Sequence, residues 1–298
     1  MAWDGVELEV EVTCADNRRY PVRLRFTGWG EYTVVHVPES APCADSLQQE
    51  FSKAFRRNTP LKLMLLEMFR EAGAPAVDAL IQATEDNNAR IRRLACRALE
   101  ALDEPRVVPA IARRLGDSSK AIRQTACKIL IQIGDQRAVP ALIHALDDPD
   151  SEVRALACEA LGALDDPQAA DALLRKLDDD APKVRGMACW ALGALGCLQA
   201  VPSLIQRLKD RDWYVRWVAA DALGVLGDPQ AVPALIPRVR DWVHAVRLTA
   251  CEALGALGDP RAIPALQRAA QDDVSSDVRQ KARDAIDQIR QHTQSRRV

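Results

Sequence analysis

Aromatic residues are scarce in this chain, at 4% of 298 residues, although hydrophobic residues make up 48%. That balance disfavours a sandwich core built on bulky rings, and recurring Ala-Leu pairs suit closely packed helices instead. There is no run of 18 consecutive apolar residues, so no segment is expected to cross a membrane as a helix. The start, Met1-Ala2-Trp3-Asp4-Gly5, does not open a basic and then apolar leader, and a cytoplasmic location is expected. Eight cysteines are present, yet no two stand at the C-x-x-C spacing of a zinc site or redox dithiol, which fits a reducing compartment. The four histidines, His36, His144, His244 and His292, are never followed by Glu. Nor is there a glycine-rich phosphate loop, a nucleophile elbow or a His-Glu-x-x-His helix. No catalytic, cofactor-binding or metal-binding residue is therefore assigned.

A charge excess is missing too. The net charge is −2, which gives no overall attraction for nucleic acid or an anionic membrane. Locally the balance is uneven: residues 90–128 hold ten Lys/Arg against four Asp/Glu, and residues 140–180 hold three against eleven.

What is abundant is repetition. Arg92, Arg123, Arg154, Arg185, Arg216 and Arg247 recur every 31 residues, and Arg279 follows after one inserted residue. Asp86, Asp117, Asp148, Asp179, Asp210, Asp241 and Asp272 keep the same period. Segments such as Gly227-Asp228-Pro229 and Gly258-Asp259-Pro260 separate the units. Gly227 can take the left-handed conformation that ends one helix, Asp228 can cap the next, and Pro229 fits a first turn that has no use for its missing N–H. A first helix of about three turns is expected, then a turn at the repeated Asp, then a second helix starting near the repeated Arg. On one such helix Val215, Val218, Ala219, Ala222, Leu223 and Leu226 form an apolar face that two short helices cannot bury alone, so the units must stack.

The 31-residue period, the Asp-x5-Arg pairs, the Gly-Asp-Pro turns and the Ala-rich second helices resemble the short HEAT-like repeats named for phycobilisome bilin lyases. The resemblance covers about residues 60–290. It implies an all-α, right-handed superhelical α-solenoid of two-helix repeats, with the Asp and Arg series forming a hydrogen-bonded ladder between units. It is nearly silent on function, because one repeat fold serves scaffolds, adaptors and enzyme subunits. Deoxyhypusine hydroxylases hold iron with repeated His-Glu pairs, and their absence here removes that activity.

Outside the repeats, Glu7–Val12 and Tyr20–Phe26 alternate in character and predict a β-hairpin turning near Asp16-Asn17-Arg18, with Glu9 opposite Arg25 and Glu11 opposite Arg23. Residues 31–37 can add a third strand. We expect residues 1–45 to be a small antiparallel sheet capping the solenoid, residues 46–290 to be the solenoid with a degenerate repeat at 46–73 followed by seven full repeats, and residues 291–298 to be a polar tail.

Candidate sites come from departures from the repeat. Five cysteines, Cys96, Cys127, Cys158, Cys189 and Cys251, stand four residues after the repeated Arg, where another unit has Ala220; this points to core packing. Cys197 instead takes a capping position at a turn. One residue after the repeated Arg the units carry Arg93, Gln124, Ala155, Gly186, Trp217 and Leu248; five after it they carry Arg97, Lys128, Glu159, Trp190, Asp221 and Glu252. Trp190 and Trp217 thus fall on a polar face in adjacent units, with Trp213, Tyr214, Trp242 and His244 nearby. In the resembling repeats second helices line the concave surface, so these six residues suggest an aromatic anchor for another protein. Arg93 and Arg97 form a second candidate surface. A non-catalytic scaffold is the leading reading. A bilin chromophore in the groove, handled as a lyase subunit with a phycobiliprotein as partner, is the alternative that the resemblance implies. Nucleic-acid binding on Arg90, Arg93, Arg97, Arg113, Arg114 and Lys120 ranks last, because neighbouring acidic units repel phosphate.

Overall fold

The structure, a computed structural model, describes residues 6–13, 19–26, 32–36, 77–100 and 105–295. The expected degenerate repeat at 46–73 lies outside the described residues. The chain forms two compact units, residues 1–135 and 136–298.

In the first unit, β1 (Val6–Thr13), β2 (Arg19–Phe26) and β3 (Tyr32–His36) form an antiparallel sheet in that order. The register differs from the expected one by two residues: Glu7 lies opposite Arg25 and Glu9 opposite Arg23, while Glu11 faces Pro21. Thr13 pairs with Arg19, and a register slip of two preserves the alternation along each strand. Acid still meets base, with Arg25 Nε donating to Glu7 Oε1 at 2.9 Å. Phe26 is completely buried. The same unit holds α1 (Val77–Ala83), α2 (Ala89–Glu100), α3 (Val108–Arg113) and α4 (Lys120–Ile133).

The second unit repeats one motif. First helices α5 (Val139–Ala145), α7 (Ala170–Lys176), α9 (Val201–Arg207), α11 (Val232–Leu235) and α13 (Ile263–Asp272) alternate with second helices α6 (Ser151–Leu164), α8 (Pro182–Ala194), α10 (Trp213–Leu226), α12 (His244–Leu257) and α14 (Ser276–Ser295). This is an all-α solenoid architecture. Each first helix of this unit opens with a short 3-10 turn, as at Pro229–Ala231, and a proline then takes the second helical position except in α7, where Asp171 stands there. Pro237 cuts α11 short, and the chain continues as a 3-10 turn over Ile236–Arg240.

The punctuation works as its chemistry dictates. Gly227 and Gly258 take φ of 71° and 67°. Asp228 and Asp259 accept hydrogen bonds from the backbone N–H of Gln230 and Arg261, each at 2.8 Å. In the turn before α10, Asp210 Oδ1 accepts from the backbone N–H of Asp212 at 2.9 Å. The repeated Arg sits in the first turn of its helix, three residues after the start in α6, α8, α10, α12 and α14. There it performs two tasks. Arg185 donates from Nη1 to the carbonyl of Asp179 in its own unit, and from Nε and Nη2 to both carboxylate oxygens of Asp210 in the next, all at 2.8–2.9 Å. Arg92 with Asp117, Arg154 with Asp179 and Arg216 with Asp241 repeat this geometry.

The last rung corrects the expected register. Arg247 pairs with Asp273, not Asp272, and Arg279 donates to the Asp273 carbonyl at 2.7 Å. The inserted residue extends α13, whose final residue is Asp272, so the six-residue Asp-to-Arg spacing resumes at Asp273. The expected tail is also shorter: α14 continues to Ser295, with Thr293 Oγ1 donating to the Ile289 carbonyl at 2.8 Å.

A second set of basic residues escaped the sequence reading. Arg114, Arg207 and Arg238 donate from Nη1 to the carbonyls of Thr84, Leu177 and Leu208, each 30 residues earlier, and so cap the end of the preceding first helix. Arg114 is therefore structural and unavailable to a nucleic-acid groove.

Second helices pack on one another at small residues. A Cβ added to Gly193 would lie 2.9 Å from Ala222 Cβ, and one added to Gly224 or Gly255 would lie 3.0 Å from Ala253 or Ala285. Gly162 meets Ala191 in the same way. The five predicted core cysteines are completely buried, as is Ala220. Burial pushes the thiols of Cys96, Cys158, Cys189 and Cys251 up to about 12.

Candidate functional site

Close backbone approach at the glycines leaves little depth between second helices, so a large ring on that face stays partly in water. Trp190 on α8 and Trp217 on α10 are 37% and 36% exposed. Neither ring is free. Trp190 lies over Gly162 of α6, its Cζ3 only 2.7 Å from where a Cβ would stand. Trp217 Nε1 donates to Thr249 Oγ1 on α12 at 2.9 Å, and Thr249 is itself buried. The rings therefore pack and present a face together.

Tyr214 completes the arrangement. Its ring occupies the space a side chain at Gly186 would fill, and its hydroxyl donates to Met187 Sδ at 3.3 Å. Burial raises its phenol above the ordinary value. Tyr214 and Trp217 rings are 5.8 Å apart at 55°. Trp213 covers this pair from the helix start, 6.4 Å from Trp217 and 6.3 Å from Tyr214.

Glu159, Met187, Trp190, Tyr214, Trp217, Val218 and Asp221 line one open cleft of about 270 Å³. A second hollow of about 260 Å³ shares Asp221 and continues over Gly224, Thr249, Glu252 and Ala253. The two form a groove across α6, α8, α10 and α12. Burial and the like charge of Glu252 raise the Asp221 carboxyl above the usual aspartate range.

Four of the anticipated residues, Trp190, Trp213, Tyr214 and Trp217, thus converge. Trp242 does not join them. It is 78% exposed in the turn before α12, where it faces the Arg216 guanidinium at 5.4 Å. His244, the first residue of α12, shares a 3.0 Å hydrogen bond with Ser275 Oγ in the following turn. Arg93 and Arg97 are exposed on α2 in the first unit, whereas the cleft is built from the second unit alone. The sequence reading missed Glu159, Met187, Val218 and Asp221 as lining residues. A usable signal existed for two of them: Glu159 and Asp221 stand at the same offset from the repeated Arg as Trp190, in the units on either side of it.

Among the described residues no His, Cys, Asp or Glu group could hold a metal ion, and no helix is long and apolar enough to cross a membrane.

These features define a solenoid of stacked helix pairs with an aromatic groove along its second helices. A family model described as HEAT repeats matches residues 57–122, 76–155, 139–206, 171–243 and 201–287, and the chain belongs to that family. Among solved structures it is similar to an engineered protein, at 19% identity and a TM-score of 0.51 over 72% of this chain and 68% of that one. The complex of CpcE and CpcF of phycocyanin lyase from Nostoc sp. PCC7120 is similar at 24% identity, with a TM-score of 0.48 over 72% of this chain and 94% of that one. A designed armadillo repeat protein in complex with the peptide (KR)4 shares 19% identity and a TM-score of 0.49 over 61% and 99%. At such identities the likeness concerns the fold alone. Comparison with curated proteins gives no match.

Proposed function

We propose that this HEAT-repeat chain is a protein-binding scaffold whose docking site is the cleft of Trp190, Tyr214 and Trp217. The observation that carries the reading is the convergence of these rings, with Trp213 beside them, on one partly open cleft of about 270 Å³. Aromatic anchors in a pocket with a polar rim are where binding energy concentrates, commonly about 2 kcal/mol or more per anchor. The groove continues past Asp221 over Gly224 and Ala253, which suits a polypeptide segment laid across several units.

An open-chain tetrapyrrole is the competing occupant, supported by the aromatic lining and the repeat type. Its propionates are anionic, and Glu159 and Asp221 oppose them in the same cleft. Phosphate of a nucleic acid meets the same repulsion. A protein is favoured on that ground.

The test uses a photo-crosslinking amino acid at Val225, which is 65% exposed beside the groove. In host cells it should capture a protein, and capture should vanish in a Trp190→Gln/Trp217→Gln variant of similar melting temperature. Capture that persists in the double variant would place docking elsewhere. Absorbance by a bound bilin after mixing would replace the protein reading by the chromophore one.

A further inference from the structure

Resting on the docking reading above, we infer that the segment received by the cleft is cationic: an Arg- or Lys-bearing stretch of the partner, with a guanidinium or ammonium seated against Trp190, Tyr214 and Trp217 between Glu159 and Asp221.

The argument begins with what the rings can recognise. The faces of Trp and Tyr carry negative electrostatic potential, and cations, above all the planar guanidinium, stack on them. This chain already contains one such contact, Arg216 over Trp242 at 5.4 Å. The cleft repeats the chemistry with the cation missing. Three rings and two carboxylates line one hollow, and no Lys or Arg lines it.

The carboxylates supply the second, independent observation. Most acidic groups on this solenoid are satisfied: Glu152 by Lys183 at 2.7 Å, Glu252 by Lys281 at 2.6 Å, Asp147 by Lys176 at 2.7 Å. Glu159 and Asp221 have neither a hydrogen-bond donor nor an ion-pair partner among the described residues. Lys183, whose charge acts on Tyr214, is held by Glu152 at 2.7 Å. Asp221 is exposed at the edge of the cleft, where partial desolvation and the like charge of Glu252 hold its carboxyl above the usual aspartate range. A cation entering the cleft relieves that penalty, so charge complementarity is gained where the free protein lacks it.

The repeat extends the pattern. The position five residues after the repeated Arg reads Glu159, Trp190, Asp221, Glu252 and Asp284 along α6, α8, α10, α12 and α14. Stacked helices stand about 8–10 Å apart. An extended chain advances about 3.3 Å per residue, so basic residues spaced by about five or six positions would meet Glu159 and Asp221, which stand two helices apart with Trp190 between them.

The experiment is fluorescence anisotropy with a labelled dodecapeptide of alternating Arg and Gly, and the same peptide with citrulline replacing Arg. The full chain should bind the Arg peptide and lose at least about tenfold in affinity for the neutral citrulline one. Glu159→Gln/Asp221→Asn should cause a similar loss for the Arg peptide without lowering the melting temperature, and added salt should weaken binding. Trp190→Gln/Trp217→Gln should weaken both peptides. Equal binding of Arg and citrulline peptides, or indifference to the carboxylate variant, overturns the cationic reading. If neither peptide binds while the Val225 crosslink persists, the cationic inference fails and the docking site stands. Loss of the crosslink requirement for Trp190 and Trp217 removes both.

Discussion

Arg216 holds Asp241 with two hydrogen bonds of 2.8 Å while its remaining terminal nitrogen binds the Asp210 carbonyl at 2.9 Å, and both side chains of the pair are at least 95% shielded from water. One guanidinium thus closes the turn of its own repeat and clamps the turn of the next. A planar fork of donors is needed for that, which a lysine cannot supply.

Replacing Arg216 with Ala leaves the Asp241 carboxylate buried with only Arg238, at 3.5 Å, and a backbone N–H to compensate. We expect a loss of about 3–5 kcal/mol in chemical denaturation. Arg216→Lys should recover less than half of it. A change within error for Arg216→Ala would mean that the ladder contributes no stability.

The ladder also sets acid sensitivity. Burial alone would raise Asp117, Asp179, Asp210, Asp241 and Asp273, but the hydrogen bonds and charge of their arginines, together with a backbone N–H, outweigh it and hold all five below the ordinary 3.8. The unfolded chain therefore binds protons more tightly than the folded one, and the stabilisation, present above the ordinary value, is lost as pH falls through the folded values. Asp221 acts with the opposite sign, since its carboxyl is raised, but it is one group against five. Melting temperature should drop steeply below about pH 4. Arg216→Ala should flatten that descent, and an unchanged slope would count against the ladder as its source.

Glycine spacing on the second helices predicts where alanine harms. Gly193→Ala places a Cβ 2.9 Å from Ala222 Cβ and 3.1 Å from its Cα. Overpacking of about 1–3 kcal/mol should exceed the helix-propensity gain of about 1 kcal/mol. Gly116→Ala meets nothing within 4 Å and should be neutral or mildly stabilising. Thermal melts of the two variants decide it, and equal melting temperatures would show that the helices can move apart freely.

Thiol labelling separates the cysteines. Cys96, Cys158, Cys189 and Cys251 are completely buried and pushed up to about 12, whereas Cys197 is half-buried at a turn. Brief iodoacetamide treatment of the native protein, mapped by mass spectrometry, should modify Cys197 and spare those four; in denaturant all should react. Rapid native labelling of Cys158 or Cys189 would show that the stacked helices open.

The sequence by itself determined the repeat. Thirty-one-residue spacing of Arg and Asp, glycine and proline punctuation, and small residues at fixed offsets each dictate a local geometry, and their agreement leaves one way to bury the apolar faces. Trp190 and Trp217 were legible as departures from a polar position, because a repeat supplies its own baseline. Tertiary structure alone decided which departures act together. Sequence spacing places Trp242 as near to Trp217 as Trp190 is, yet Trp242 lies in the turn before α12 against the ladder's Arg216, while Glu159, from an earlier unit, lines the cleft. It also decided that Asp273 rather than Asp272 receives Arg247, since an inserted residue can be absorbed on either side of a turn and only the packed helix shows which. Neighbours in a groove are set by the phase and stacking of helices, and those follow from how closely glycine and alanine let the backbones approach.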